Sequence, residues 1–340
     1  MSAGNILAIP MAFTARAYGK VNLHLGVGQA RDDGYHDLTT VFQAVNRPET
    51  VTVHVSPSFE QADPAQVIES MHTVFNVNEP GENIDGPSNL AWKAVQAVVD
   101  KHQAIFGEHQ PSLPKVRITV DKTVFVAGGM AGGSADAAAA LVAANEYLDV
   151  HGVRGLEEDT LYEIAAHLGA DVPFCLMGGT ALGTGRGDAL APMMVRGTYW
   201  WAFLSQREGL STGAVFERLD DMRHNDVTLV PRLSTEDIGH ALISGDPRDV
   251  AKALHNDLQP AALAMHPNLR RTMKHVKELD VLAALVSGSG PTLAVLCDSE
   301  EQAQRVVDTL AYADDAPAYE GFVAHSPSGG AHVITWDAGA

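Results

Sequence analysis

Val116, Ile118 and Val120 alternate with Arg117, Thr119 and Asp121, the period-2 pattern of a half-buried strand. Beyond a glycine-rich stretch at 126–136, the alanines at 137–140 with Leu141, Ala144 and Leu148 combine helix propensity with helical spacing, and Ser134 is placed to cap that helix. Upstream, residues 14–27 alternate as well. Ala15, Ala17, Val21, Leu23, Leu25 and Val27 fall on one face and Arg16, Lys20, Asn22 and His24 on the other, so Lys20 and Asn22 project side by side. Val51, Val53 and Val55 continue the sheet, whereas 56–87 is a long polar, proline-containing excursion without a clear period. Ser88-Asn89 caps a helix whose Ala91, Val95, Val98 and Val99 share a face and which runs to about His102. Leu161, Ile164, Ala165 and Leu168 mark another, stopped by Gly169 in the C′ position.

The pattern changes after a glycine-rich strand and turn at 178–187 and a boundary near 192–197. A strand at 199–204 is followed by helices near 211–223, 234–243, 247–258 and 267–279. Strands at 282–286 and 293–297 then flank Ser287-Gly288-Ser289-Gly290-Pro291, Ala303, Val306, Val307 and Leu310 mark a helix, and further strands are expected at 321–324 and 332–335. Strand, strand, helix, strand in this order predicts an antiparallel α+β sandwich.

Length and charge narrow the function. The 340 residues suffice for two domains, which we place at 11–195 and 196–340. A formal net charge of -19 repels polyanions, so nucleic acid and anionic membranes are not expected partners, while a small nucleotide is still accommodated by a few local cations and backbone amides. The two cysteines, Cys175 and Cys297, suggest neither a disulfide framework nor a zinc site, and the histidines lack ligand spacing, so no structural metal is expected. A reducing cytoplasm fits this cysteine usage; the first ten residues lack a basic region and no run reaches the length of a membrane span.

The candidate chemistry lies in four stretches. In 126–136, glycines let a backbone approach an anion closely and the following helix adds unpaired donors, which reads as a phosphate cradle, with a tight turn as the alternative. It is not a standard P-loop, because the only Gly-Lys pair, Gly19-Lys20, is followed by Val21. Nor is it a dinucleotide fingerprint: Gly183-Thr184-Gly185-Arg186-Gly187-Asp188 has Asp188 where the last glycine belongs. Ser134 and Ser289 also lack the flanking glycines of a nucleophile elbow. Lys20 and Asn22 form either the solvated face of an edge strand or part of a site. Asp171, in Ala170-Asp171-Val172-Pro173-Phe174, is a turn residue or a buried carboxylate kept for use. The Ser-Gly-Ser-Gly-Pro segment is a second anion nest or a hairpin.

Gly19-Lys20-Val21-Asn22-Leu23, the glycine loop with Ser134, and Ser287-Gly288-Ser289-Gly290-Pro291 occur in the order of the three motifs of the GHMP small-molecule kinases, which the chain resembles over nearly its whole length. Within that superfamily, Arg31-Asp32-Asp33-Gly34-Tyr35-His36 and Gly169-Ala170-Asp171-Val172-Pro173-Phe174 resemble the branch whose acceptor is a cytidine diphosphate sugar-alcohol. The resemblance implies an α+β, two-domain fold with an N-terminal ribosomal-protein-S5-like domain and a C-terminal ferredoxin-like domain. It further implies ATP and Mg²⁺ as cofactors, small-molecule substrates, and a monomer or homodimer. By motif position it makes Lys20 and Asp171 catalytic and assigns the acceptor substrate to Asn22, Tyr35, His36, Thr212 and Phe216. ATP falls to Asn89, Lys122, Val126, Ala127, Gly128, Gly129, Met130, Ala131, Gly132, Gly133, Ser134 and Ala135.

Phe125 stands where such kinases usually have proline, Ala127 and Ala131 replace glycines, and Ala135 replaces a second serine, leaving Ser134 and Asp136 to help hold Mg²⁺ or a phosphate, with Ser134 the candidate metal contact. An alanine at positive φ costs on the order of 1 kcal/mol relative to glycine. Competing readings are a homoserine- or mevalonate-type kinase, which Tyr35-His36 disfavours because a small aliphatic acceptor has no base to stack, a non-catalytic nucleotide-binding regulator, and an α+β protein whose glycine loops are only turns.

Overall fold

A computed structural model describes residues 11–31, 34–56, 63, 66–77, 83–107, 113–151 and 154–334. Asp32, Asp33, Thr335 and parts of the 56–87 excursion lie outside them. The chain begins with two long antiparallel strands, β1 (Ala12–Ala30) and β2 (His36–Val55), then β3 (Ile68–Phe75), α1 (Leu90–Phe106), β4 (Val116–Lys122), α2 (Gly132–Val150), α3 (Glu158–Leu168), α4 (Val172–Met177), β5 (Thr180–Gly185) and β6 (Ala189–Pro192). The lower half of β2 pairs with β4 and its upper half with β5, so the sheet forks along its own length. β3, inside the stretch that shows no period in the sequence, adds an edge strand parallel to β4.

β1 is not an edge strand. It lies within an eight-stranded sheet between β2 and residues that return from the far end of the chain. A strand of 19 residues spans about 60 Å, more than one core can cover. Its odd-numbered residues therefore do not share one core as the alternation suggests. Ala15 and Ala17 lie under α1 and α2, Val21 and Leu23 pack toward the second sheet, and Leu25 and Val27 join a third cluster. The crossing coincides with a register shift against β2 between Tyr18 and Lys20. α2 is buried almost all round, and its alanines at 137–140, 143 and 144 are fully covered, because only small side chains let it sit close to α1 and the sheet at once. Gly169 ends α3 in extended backbone rather than in the left-handed geometry expected of it.

The second half continues with β7 (Tyr199–Ser205), α5 (Thr212–Asn225), α6 (Glu236–Ser244), α7 (Pro247–Ala253), β8 (His255–Asn256), α8 (Gln259–Met265), α9 (Pro267–Val276), β9 (Ala283–Val286), β10 (Leu293–Cys297), α10 (Glu300–Val307), β11 (Glu320–Ser326) and β12 (His332–Val333). β11, β7, β10 and β9 form a four-stranded antiparallel sheet in that order. Both of its faces are covered: Tyr199, Trp201 and Phe203 face the first sheet, while Ala202 and Leu204 face the layer of α5, α8, α9 and α10. Burial on both sides explains why 199–204 reads as an unbroken apolar run.

Two short segments depart from the sequence reading. The helix expected over 247–258 stops at Ala253, and His255 and Asn256 instead pair in parallel with His24 and Leu25 of β1. β12, expected to belong to the second sheet, pairs with Ala15 and Arg16 of β1. Both stitch the second half of the chain onto the strand that carries Lys20. α8 has no counterpart in the sequence pattern.

Candidate active site

The three glycine-bearing segments converge on one peptide group. The Gly129 carbonyl accepts from the Lys20 ammonium at 3.1 Å and from the Ser287 hydroxyl at 3.2 Å, while the Lys20 backbone N–H donates to Met130 at 2.9 Å. Gly129 lies at φ 76°, and a Cβ there would stand 2.2 Å from the Ser287 carbonyl oxygen. Gly288, at φ 56°, is less tightly held, since its Cβ would meet the Gly129 oxygen at 3.0 Å and the Lys20 ammonium at 3.3 Å. Asn256 holds the far side by donating 2.8 Å bonds to the Val286 and Gly288 carbonyls.

The loop then enters α2 through Ala131, which is the N-cap in left-handed geometry (φ 58°, ψ 31°) without a side-chain bond. Ser134 is therefore not the cap. It sits in the first turn, half-buried, and Gly132, Gly133 and Ser134 present the unpaired N–H groups that a helix start offers to an anion. Ala127 is also left-handed, at φ 53°. Met130 is fully buried, so only its backbone belongs to the loop surface, and Phe125 fills the core against Phe322 with ring centroids 4.7 Å apart. Ala135 is fully buried in the first core, so a serine hydroxyl at that position would not face the cleft.

Lys122 and Asp136 are likewise not cleft residues. The Lys122 ammonium is sealed beneath Gly132, 2.8 Å from Glu49 and 2.7 Å from Asp136. Glu49 also accepts from the Thr123 and Val124 backbone N–H groups. Burial and the neighbouring Asp136 push the Glu49 carboxyl up to about 7, against the pull of Lys122. Burial raises Asp136 as well, while the two carboxylates outweigh the opposing effect of burial on Lys122 and raise it. This cluster braces the loop from below. Asn89, as N-cap of α1, spends its side-chain oxygen on the Ala91 N–H and its amide on the Ile84 carbonyl.

Toward the cleft, the Lys20 ammonium lies 3.8 Å from Asp171 and donates a 2.6 Å bond to Asn22. Lys20 and Asn22 are both buried, and Asn22 also donates to Thr40 at 2.8 Å, which leaves its remaining N–H. Asp171, at the start of α4, makes no capping bond. Its side chain is 33% exposed rather than buried, so it faces the cleft while Val172, Pro173, Phe174 and Cys175 anchor the backbone behind it.

Ala170, the neighbour of Asp171, lines a cavity of about 410 Å³ shared with Tyr35, His36, Thr212 and Phe216. The His36 and Phe216 rings are 5.1 Å apart, Tyr35 stands exposed, and the Thr212 hydroxyl bonds that of Ser289 at 2.9 Å. Sequence reasoning missed Arg186, whose guanidinium stacks 4.9 Å from the Tyr35 ring, and Asp220, which receives the His36 ring N–H. Arg186 is the non-glycine tip of the 183–187 turn, and Asp220 follows Phe216 by one helical turn; each signal reads only once the partner is known.

Comparison with known proteins gives the family. Residues 89–179 match the GHMP kinases N terminal domain and 240–315 the GHMP kinases C terminal model. The chain is 44% identical over 332 residues to the 4-diphosphocytidyl-2-C-methyl-D-erythritol kinase of Corynebacterium efficiens, covering 96% of this chain and 99% of that protein. The chain belongs to the 4-diphosphocytidyl-2-C-methyl-D-erythritol kinase family. A Corynebacterium diphtheriae member of this kinase family is 45% identical, with 95% and 98% covered. A crystal structure of 4-(cytidine 5'-diphospho)-2C-methyl-D-erythritol kinase superposes with a TM-score of 0.69 at 25% identity, covering 93% of this chain and 100% of that one. The family is one of ATP-using kinases with a two-domain fold of mixed helix and sheet. Among the described residues, no helix is long and apolar enough to cross a membrane.

Proposed function

We infer that this chain transfers the γ-phosphoryl group of ATP to the 2-hydroxyl of 4-diphosphocytidyl-2-C-methyl-D-erythritol, a step of the non-mevalonate route to isopentenyl diphosphate. The observation that carries this reading is the adjacency of two features. The aromatic and imidazole cavity has Ala170 in its lining, and Asp171, the next residue, pairs with Lys20 where the glycine segments meet. A base held between Tyr35 and Phe216 leaves the rest of the acceptor to extend toward that pair.

The acceptor oxygen attacks the γ-phosphorus, the bond from that phosphorus to the β,γ-bridging oxygen breaks, ADP departs, and the hydroxyl proton passes to the Asp171 carboxylate. Such transfers have loose transition states, so positioning and charge neutralisation carry most of the catalysis. The first turn of α2 holds the ATP phosphates, Lys20 neutralises charge on the transferring oxygens, and Asn22 fixes Lys20 and offers its free N–H to the acceptor. Lys122 and Asp136 support the loop and do not touch ligand. Mg²⁺ is commonly held by phosphate oxygens and water with few protein ligands, and it would neutralise the phosphate charge. Ser134, at the open first turn of α2, is the side chain that fits it here, since Asp136 is committed to Lys122.

The test is phosphorus NMR of the product formed with ATP and the cytidylyl substrate. A new phosphomonoester on C2, with the diphosphate bridge intact, is expected; phosphate on another hydroxyl, or none transferred, overturns the reading.

A further inference from the structure

The His36 ring is almost sealed, with its side chain 5% exposed, and its Nε2 lies 2.9 and 3.1 Å from the two carboxylate oxygens of Asp220. A carboxylate only accepts, so the proton of that contact sits on Nε2. In the neutral ring Nδ1 is then a lone pair, and no described residue donates to it. The helix that carries Asp220 is anchored. Asp220 lies on α5 one turn beyond Phe216, and both line the same cavity as His36. One turn further, Arg223 pins the helix by donating to the Gly28 carbonyl at 3.0 Å and to the buried Asp257 at 3.1 Å.

We propose that Asp220 is a positioning residue that makes the base pocket select cytosine over uracil. Resting on the function inferred above, it acts through His36: with Nε2 committed, Nδ1 accepts the exocyclic N–H of cytosine and opposes the carbonyl oxygen that uracil carries at the same place. Neither the stacking by Tyr35 and Phe216 nor the shape of the cavity distinguishes the two bases, because both rings have the same size and a π face. Thr212, Glu217 and Arg186 line the cavity as well, and the His36 lone pair is the acceptor that Asp220 fixes in place.

The experiment compares ADP release from ATP with 4-diphosphocytidyl-2-C-methyl-D-erythritol and with its uridine counterpart, for the parent chain, Asp220→Asn and Asp220→Glu. Asparagine can turn its amide toward Nε2 and move the ring proton to Nδ1, which then donates to uracil. The parent should prefer the cytidylyl substrate in kcat/KM. Asp220→Asn should shrink that preference by about tenfold to a hundredfold with the KM for ATP unchanged, and Asp220→Glu, which restores the carboxylate, should keep it. An unchanged preference in Asp220→Asn overturns the inference, as does an equal loss with both nucleobases, which would mark the contact as structural only. A parent chain that turns over both substrates equally overturns it while leaving the kinase reading intact; a parent chain that turns over neither overturns both.

Discussion

Replacing Glu49 by glutamine removes one carboxyl from a buried cluster that holds two carboxyls and a single ammonium. In the folded chain Glu49 is raised from 4.5 to about 7, first by burial and then by Asp136, with Lys122 opposing. Between those pH values the folded state keeps a proton that the unfolded chain has released, so stability must fall as pH rises through the window. The difference corresponds to about 3 kcal/mol, present in full below pH 4.5 and lost by the time pH passes 7. The glutamine amide of Glu49→Gln carries no titrating proton, and the loss of charge also relieves Asp136, which then pairs with Lys122 alone. The variant gives up a good acceptor for the Thr123 N–H, a cost of about 1–3 kcal/mol at every pH. Urea unfolding at intervals from pH 4.5 to 8 separates the two effects. The stability advantage of the parent over the variant should decline steadily as pH rises, by about 3 kcal/mol over the window. A difference that stays constant with pH would refute the argument that burial and the neighbouring Asp136 raise the Glu49 carboxyl.

Three further outcomes follow from the site. Ala131→Gly should stabilise the chain by about 1 kcal/mol, because Ala131 occupies left-handed backbone without a side-chain bond in return, and a lowered melting temperature would contradict this. Lys20→Met removes the ammonium that lies over the Phe42 ring and donates to Asn22 and to the Gly129 carbonyl, so kcat should fall by about a hundredfold to a thousandfold, with a lowered melting temperature as those buried acceptors lose their donor; retained turnover would remove Lys20 from the chemistry. Phe216→Ala should raise KM for the cytidylyl substrate about tenfold with KM for ATP unchanged, and an equal rise in both would show that the aromatic cavity is not the base site.

Much of the site is legible in the sequence because close backbone approach demands glycine. Gly129 and Gly288 touch one another's loops, and a side chain would collide at the first and be crowded at the second, so the glycines themselves mark the junction along the chain. Lys20 and Asn22 are legible from strand alternation, although the alternation alone does not reveal that both faces beyond Gly19 are buried. Lys122 reads as a ligand contact because a lysine beside a phosphate loop and a lysine bracing it from below look alike in sequence; the deciding partner, Glu49, lies on another strand. His36 and Asp220 are separated by 184 positions, and nothing in local spacing connects them. β8 and β12 are two residues each, too short for any period to register, yet they attach the second half of the chain to β1. β3 hides for a related reason: as an edge strand it keeps Glu69, Ser70 and His72 exposed, which breaks the apolar alternation.

The most direct test of the account is ADP release from Mg²⁺ and ATP with 4-diphosphocytidyl-2-C-methyl-D-erythritol, run beside homoserine and mevalonate and repeated with Asp171→Asn. Turnover with the cytidylyl substrate alone, lost in the variant while that substrate still binds, is the predicted result. Equal turnover of a small aliphatic acceptor, or an Asp171→Asn protein as active as the parent, would contradict it.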